Sequence, residues 1–152
     1  MHEISIAINI LAMIEEEFMK IPNAKKIKKI KLKVGALSLI DISALRFALT
    51  VASKETPAEG ATIEIEPELP RFRCKRCNYE WGMDDADLKS LVGRHGIATI
   101  LHMYPDVIVN FFSCPRCGSN NIEILKGRGI LVDSFNIETE DEKREVLLKN
   151  RG

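Results

Sequence analysis

The 152-residue sequence predicts an α+β fold, with a small mixed β-sheet and two helices in one domain and a cysteine-containing domain beside it. Three observations support this prediction. Apolar residues recur at helical spacing in two segments, apolar and charged residues alternate in two others, and the cysteines stand in Cys-x-x-Cys pairs. Residues 71–126 differ from the rest in their cysteines, aromatics and short loops. We therefore predict one domain from residues 1–70 with 127–152 and another from residues 71–126.

Two segments have the pattern of amphipathic helices. In the first, apolar residues step by three and four positions and form one predicted buried face, which comprises Ile4, Ala7, Leu11, Ile14, Phe18 and Ile21. Pro22 and Asn23 are expected to end this helix. Asp41 is a predicted N-cap for the second helix. The inner face of that helix comprises Leu45, Ala48, Leu49 and Ala52.

Two segments alternate in the manner of half-buried strands. The first sets lysines against apolar residues: Lys29, Lys31 and Lys33 against Ile30, Leu32 and Val34. The second places Ile63 and Ile65 inside and Glu64 and Glu66 outside. If these strands are neighbours, the lysines and glutamates pair across the sheet, and each exposed pair contributes only ~0.2–1 kcal/mol. The lysine-rich segment is then a solvated sheet face.

The end of the chain contains one further predicted strand, in "GRGILVDSFNIE", which returns most simply to the same sheet. The last fifteen residues, "ETEDEKREVLLKNRG", are mostly charged. Such a segment offers few apolar side chains for packing, so we expect a frayed helix or a mobile tail there.

Charge and composition restrict the function classes. Lys and Arg number 22, as do Asp and Glu, whereas a nucleic-acid-binding protein usually has a basic excess. The apolar run from Ile4 to Ile14 is interrupted by Asn9, so it predicts neither a signal peptide nor a membrane span. We find no nucleophile–base pair and no phosphate-binding glycine loop. The sequence thus predicts a cytoplasmic protein that is not an enzyme, with no membrane or nucleic-acid partner.

The four cysteines form the strongest motif. Cys74 and Cys77 make one Cys-x-x-Cys pair, and Cys114 and Cys117 make the other. Two such pairs place four thiolates around a tetrahedral ion, and Gly118 suits the tight turn of a knuckle. Zinc is the default ion, which makes the domain zinc-ribbon-like, and a rubredoxin-like iron site is the alternative. Disulfides or a redox pair are less consistent with four cysteines in a reducing compartment.

The first residues form a second candidate metal site. Initiator methionine is normally removed only before small residues, so Met1 should stay ahead of His2 and carry a free α-amine. This amine, nearby backbone nitrogens and the imidazole can close small chelate rings around a divalent ion. An all-nitrogen, planar set suits Ni(II) or Cu(II) better than zinc. The alternative is an early histidine without function, which many proteins have.

In order along the chain, "MHEIS", "FRCKRCNYEW", "FFSCPRCGS" and "KGRGILVDSFNIE" resemble the HypA family of nickel metallochaperones for nickel–iron hydrogenase maturation. The resemblance implies a nickel-binding α+β domain and a zinc domain. It implies His2 as the nickel ligand, with terminal and backbone nitrogens from Met1 and Glu3, and the cysteines as zinc ligands: Cys74, Cys77, Cys114 and Cys117. It also implies transfer of nickel with a partner GTPase and docking on the hydrogenase large subunit, by a monomer or a dimer.

The segment between the cysteine pairs is long, as in archaeal-type members of that family. It contains His95 and His102, the only histidines besides His2. An imidazole at His102 is a candidate further nickel ligand, and His95 is a weaker one. The alternative for both is an ordinary surface histidine.

Overall fold

The computed structural model describes residues 2–139 and 143–148, apart from the side chains of His2 and His95. The described chain forms two compact units. One comprises the residues up to Lys33, Asp41–Glu66 and the residues from Leu131 onward, and the other comprises Val34–Ile40 and Pro67–Ile130. Among the described residues, no helix is both long and apolar enough to cross a membrane.

The helices and strands follow one another in mixed order. The helices are α1 (His2–Met19), α2 (Ile42–Ala52), α3 (Asp85–His95) and α4 (Ala98–Met103). The strands are β1 (Ala24–Gly35), β2 (Thr62–Glu68), β3 (Arg71–Cys74), β4 (Glu80–Gly82), β5 (Ile122–Lys126), β6 (Ile130–Thr139) and β7 (Lys143–Leu147). Short 3₁₀ helices occupy Ala36–Ser38 and Pro105–Phe111. The strands form a four-stranded sheet in the order β2-β1-β6-β7 and a three-stranded sheet in the order β4-β3-β5.

The helices of the first unit bury most of the predicted faces. Helix α1 packs against α2 and buries four of the predicted residues: Ala7, Leu11, Ile14 and Phe18. Ile4 is 54% exposed, so its predicted burial was wrong. The Asp41 carboxylate accepts a hydrogen bond from the Ala44 N–H at 3.1 Å, which confirms the predicted N-cap of α2.

The predicted charge pairing across the sheet is present. Strands β1 and β2 are neighbours, and Lys29 Nζ lies 2.6 Å from a carboxylate oxygen of Glu64. The hydrogen bond from Lys29 holds the pKa of the Glu64 carboxyl below its ordinary value. Both side chains are partly solvated, so the pair contributes little to stability and mainly favours one register.

The predicted return of the sequence after residue 127 to the first sheet is confirmed, but the expected helix or mobile tail is wrong in its described part. Strand β7 pairs antiparallel with β6, with Val146 opposite Phe135. Glu145 in the same strand lies 3.3 Å from Lys31 of β1. The strand is stabilised by the preceding strand β6 and by Lys31 far earlier in the chain, and the local charge pattern indicates neither partner.

The second unit has its own apolar core. Phe72 of β3 is fully buried in it, and helices α3 and α4 supply Leu88, Leu91 and Leu101. Asp84 is the N-cap of helix α3, and its carboxylate accepts a hydrogen bond from the Asp87 N–H at 2.7 Å. Gly96, with a φ of 61°, is the C-cap of the same helix. These helices fill the long segment between the cysteine pairs.

A close backbone crossing in the second unit requires glycine. Gly127 has a φ of 104°, and a Cβ built on it would lie 2.5 Å from Pro70 Cα. Its carbonyl accepts a hydrogen bond from the Leu37 N–H at 2.9 Å, and its N–H donates to Glu68 at 3.1 Å. These two hydrogen bonds hold the Gly127 backbone in place, so it has little freedom to move away from Pro70 if alanine adds a methyl group.

Replacing Gly127 with Ala is expected to lower the free energy of unfolding by more than about 2 kcal/mol, because both the left-handed backbone and the contact with Pro70 oppose a side chain. Gly93 in α3 is the matched control, since a Cβ there meets nothing within 4 Å. Gly93→Ala should stabilise the protein by ~0.5–1 kcal/mol. Urea unfolding of both variants measures the difference, and equal stabilities would contradict the crowded crossing.

Candidate metal centre

The four cysteines converge in the second unit. Cys74 Sγ lies 3.5 Å from Cys117 Sγ, and Cys77 Sγ lies 3.7 Å from Cys114 Sγ. All four sulfur atoms lie within 4.8 Å of one another. The two Cys-x-x-Cys pairs, which stand far apart in sequence, therefore form one cluster.

The spacing of the sulfur atoms fits a tetrahedral ion. A Zn–S bond of ~2.3 Å in tetrahedral geometry places sulfur atoms about 3.8 Å apart. The two closest pairs, at 3.5 and 3.7 Å, agree with this distance. Cys74 and Cys114 are buried and the other two cysteines are half-buried, so solvent reaches the cluster from one side only. The donor set and its geometry are those of a closed, four-coordinate metal site.

The two knuckles have the same backbone construction. In the first, the Asn78 N–H donates to the Cys74 carbonyl at 2.8 Å. In the second, the Gly118 N–H donates to the Cys114 carbonyl at 2.9 Å. Asn78 and Gly118 both have positive φ, 64° and 77°. The expected tight turn at Gly118 is confirmed. Asn78 occupies the equivalent position of the first knuckle, and asparagine tolerates the left-handed backbone conformation that this turn requires.

Sequence reasoning did not identify the role of Asn78. The signal was available, because alignment of "CKRCN" with "CPRCG" places Asn78 opposite Gly118. Asparagine is the residue type that most often replaces glycine in the left-handed region.

Backbone N–H groups favour thiolate at one sulfur of each knuckle. Burial raises the pKa of the Cys74 thiol, but the backbone N–H groups of Cys77 and Arg76, together with neighbouring thiols, lower it to about 6. In the second knuckle the Arg116 N–H lies 3.4 Å from Cys114 Sγ. There too burial raises the pKa of Cys114, but the backbone N–H groups of Cys117 and Arg116, together with neighbouring thiols, lower it below its ordinary value.

Four neighbouring thiolates can form in this cluster only when a cation balances their negative charge. A hydrogen bond with the backbone at Ser119 lowers the pKa of the Cys117 thiol, but burial and the neighbouring sulfurs raise it, with a net result of about 11. One sulfur therefore ionises easily while another resists ionisation beside its neighbours. A divalent ion among the sulfurs removes this repulsion and permits four thiolates.

Aromatic residues pack beside the cluster, as expected for a small shielding core. Phe72 is fully buried, and its ring centroid lies 5.7 Å from that of Trp81 and 4.8 Å from that of Phe112. Tyr79 stacks on Trp81 at 5.9 Å but keeps part of its surface in solvent. Phe111 is half-buried and packs on the same apolar core.

The predicted nickel-binding residues are only partly described. Helix α1 begins at His2, while Met1 and the His2 side chain lie outside the described part of the structure. The pKa of the Glu3 carboxyl lies below its ordinary value, because the backbone of Glu3 itself forms a hydrogen bond with it and the backbone of Asp41 also contributes.

The two histidines of the long segment lie on different helices. His102 stands on α4, and its Nδ1 donates a hydrogen bond to the Ser38 carbonyl at 3.0 Å. Neutral imidazole with its proton on Nδ1 has its lone pair on Nε2, the atom suited to a metal. A histidine that binds a metal through one ring nitrogen commonly donates a hydrogen bond from the other to a backbone carbonyl, which fixes the orientation of the ring. The side chain of His95, at the end of α3, lies outside the described residues.

Comparison with known proteins identifies the relatives of this chain. Residues 1–137 match the family described as "Hydrogenase/urease nickel incorporation, metallochaperone, hypA". The "Hydrogenase maturation factor HypA" of Pyrococcus horikoshii is 36% identical over 143 residues, which cover 94% of this chain and 100% of the relative. The factor of the same name from Ignicoccus hospitalis is 35% identical over 146 residues, which cover 93% and 100%.

Solved structures agree in fold. The solution structure of the Ni metallochaperone HypA from Helicobacter pylori superposes with a TM-score of 0.59 at 21% identity and covers 91% of this chain and 98% of that one. A second structure, titled "Solution structure of HypA protein", gives a TM-score of 0.60 at 23% identity and covers 93% and 98%. These likenesses confirm the predicted α+β class, and the family match confirms the predicted absence of enzymatic activity. The chain belongs to the HypA family of nickel-incorporation metallochaperones.

Proposed function

We propose that this protein binds Ni(II) at its amino terminus and delivers it for the maturation of a nickel–iron hydrogenase, while a structural Zn(II) holds its second unit. The observation that carries this proposal is the convergence of all four cysteines on one site. No cysteine is left for a second ion, so a transferable ion requires nitrogen or oxygen donors. The match to a family described for nickel incorporation supports Ni(II) as that ion.

The four cysteines are the proposed zinc ligands: Cys74, Cys77, Cys114 and Cys117. When bound, zinc would balance the thiolate charge and lock the two knuckles together. The chain itself contributes the backbone N–H groups that stabilise the sulfurs and the aromatic packing that limits solvent access. Iron remains the alternative for this donor set, and absorption of visible light by the purified protein would distinguish it from zinc.

The proposed nickel ligands are the His2 imidazole and nitrogens of the first three residues. The first N–H groups of an α-helix have no carbonyl partner within the helix. Since α1 begins at His2, backbone nitrogens there can bind nickel without the loss of a helical hydrogen bond. This assigns nickel to the domain of residues 1–70 with 127–152.

A nickel titration at two pH values tests nitrogen ligation. The α-amine titrates near ~7.7–8.0 and imidazole near ~6.5, so protons compete with nickel increasingly as the pH falls. Each backbone nitrogen that binds nickel must also lose its proton, so nickel affinity should drop at least about a hundredfold between pH 8 and pH 6. Competition with a chromophoric chelator measures this, and the zinc content of each sample serves as the control. An affinity that is the same at both pH values would contradict nitrogen ligation.

We propose His102 as a further nickel ligand through Nε2, on the strength of its hydrogen bond to Ser38. His102→Ala should then weaken nickel binding about tenfold or more and shift the nickel absorption bands, because one nitrogen leaves the coordination sphere. Met103→Ala, at the exposed neighbouring position of α4, is the matched control. Unchanged affinity and bands in His102→Ala would remove this residue from the site, and the same test applies to His95.

The partners follow from the delivery of a transferable ion. We propose a nickel-handling GTPase of the maturation pathway and the hydrogenase large subunit as partners, and the cytoplasm as the location. Neither a nucleic acid nor a membrane is a proposed partner. A monomer and a dimer are both compatible with this function.

A further inference from the structure

The outer ends of the two cysteine knuckles carry cations without acidic partners. Lys75 and Arg76 lie between the cysteines of the first knuckle, Arg116 lies in the second, and all three are exposed. In the described chain none of the three forms an ion pair, whereas Arg73 and Arg128 of the same unit pair with Glu123 and Asp106. Carboxylates are thus available in this unit but are not used at the knuckles.

The cluster brings these cations together. Arg76 directly precedes Cys77, and Arg116 directly precedes Cys117. The Arg116 N–H lies 3.4 Å from Cys114 Sγ, and the sulfur atoms of both knuckles lie within 4.8 Å of one another. The two arginines therefore stand in turns that meet at the sulfur cluster.

An open cleft of about 360 Å³ runs up to the second knuckle. Its lining combines apolar and amide groups: Val109, Asn110, Phe111, Phe112, Ser113 and Asn120. Ser113 is the residue before Cys114, so the cleft ends within a few residues of Arg116. Asparagine side chains offer a donor and an acceptor in the same spacing as a peptide group, and the aromatic side offers a place for an apolar side chain.

We propose that this surface, formed by the cleft and the knuckle cations, binds an extended segment of a partner protein in which an apolar residue is flanked by carboxylates. The apolar side chain would occupy the aromatic side of the cleft. The carboxylates would pair with Lys75, Arg76 and Arg116, with the arginines suited to bidentate contacts. This proposal does not involve the nickel site and goes beyond the delivery function proposed above.

The charge balance favours a short acidic peptide over a nucleic acid. The second unit contains nine Lys and Arg and seven Asp and Glu. Four thiolates around a divalent ion add two negative charges, which makes the unit neutral as a whole. The positive potential of the knuckles is therefore local. The knuckle cations can pair with a few carboxylates at close range, but they do not form the extended basic surface that binding of a nucleic acid requires.

Fluorescence anisotropy with labelled peptides tests this surface on the full, zinc-loaded chain. The probe is a peptide with a leucine flanked on each side by two glutamates. It should bind about tenfold more tightly than the same peptide with glutamines, and added salt should weaken only the glutamate peptide. Replacement of its leucine by glycine should weaken binding several-fold, because the cleft loses its apolar contact.

Charge reversal locates the interaction. The double variant Arg76→Glu with Arg116→Glu should bind the acidic peptide about tenfold more weakly. Arg94→Glu, at an exposed arginine of α3 in the same unit, should remain within about twofold of the parent. Zinc content shows that both variants keep the cluster. Equal affinity for the glutamate and glutamine peptides, no loss in the double variant, or tighter binding of an oligothymidylate of equal charge would each overturn the proposal.

Discussion

A single glycine added before Met1 is expected to weaken nickel binding by more than about a hundredfold while the zinc content stays unchanged. The addition keeps every side chain but moves the α-amine away from His2. The chelate rings that join the amine, the backbone nitrogens and the imidazole can then no longer close. Removal of a residue that forms a hydrogen bond with a metal ligand already reduces metal affinity ~10–100-fold. Loss of a ligand itself should therefore reduce nickel affinity by more than that range.

His2→Ala tests the same site from the side chain and should also abolish nickel binding. Ile8→Ala is a suitable control, because Ile8 lies on α1 and is 53% exposed. Competitive nickel titration measures affinity, and metal analysis of the same samples measures zinc. If the extended protein takes up nickel as well as the parent, the amine is not a ligand and the proposed carrier site is wrong. Loss of zinc in the same variant would point instead to a general defect in folding.

The sequence permitted accurate prediction where one local pattern decides the structure. The alternation around Lys31 and Leu32 predicted the buried face of β1, and the cap at Asp41 predicted the start of α2. The cysteine spacing predicted the sulfur cluster without knowledge of the remaining fold. In each case the physical cause lies within a few residues of the signal.

Prediction failed where contacts outside the local pattern decide the structure. Strand β7 has the composition of a solvated tail, yet it pairs with the preceding strand β6, and its Glu145 lies beside Lys31, 114 positions earlier. The hydrogen bond from His102 to the Ser38 carbonyl joins residues separated by 64 positions. No periodicity in the sequence indicates such a contact, so only the structure provides a physical reason to prefer Nε2 of His102 for a metal.

Replacing Cys114 with serine is expected to abolish zinc binding and to unfold the packing around Trp81. Binding of structural zinc contributes ~10–16 kcal/mol of apparent free energy, which exceeds the stability that a core of this size supplies alone. Serine has a similar shape but does not provide a thiolate. Trp81 is the only tryptophan of the chain and contacts Phe72 and Phe112, so its fluorescence reports on the second unit.

Ser113→Ala is the matched control for this variant, because Ser113 is the exposed neighbour of Cys114 and offers no thiolate. It should keep both its zinc and the Trp81 emission of the parent. Treatment of the parent with a strong chelator should reproduce the Cys114→Ser spectrum, since both remove the same ion. A metal-free protein with unchanged Trp81 emission would show that the core alone holds this unit together.

The pH dependence of zinc binding follows from the same sulfurs. In the folded knuckle the pKa of Cys74 is about 6, so a first knuckle that keeps its turn without zinc holds this residue as a thiolate above pH 6 and releases no proton from it when zinc binds. As the pH falls below 6, Cys74 takes up a proton that zinc must displace, and the loss of affinity per pH unit becomes steeper. A zinc titration monitored by Trp81 between pH 5 and pH 8 should show this change in slope. A constant slope through pH 6 would mean that the first knuckle, and with it the backbone N–H groups around Cys74 Sγ, does not keep its turn when zinc is absent.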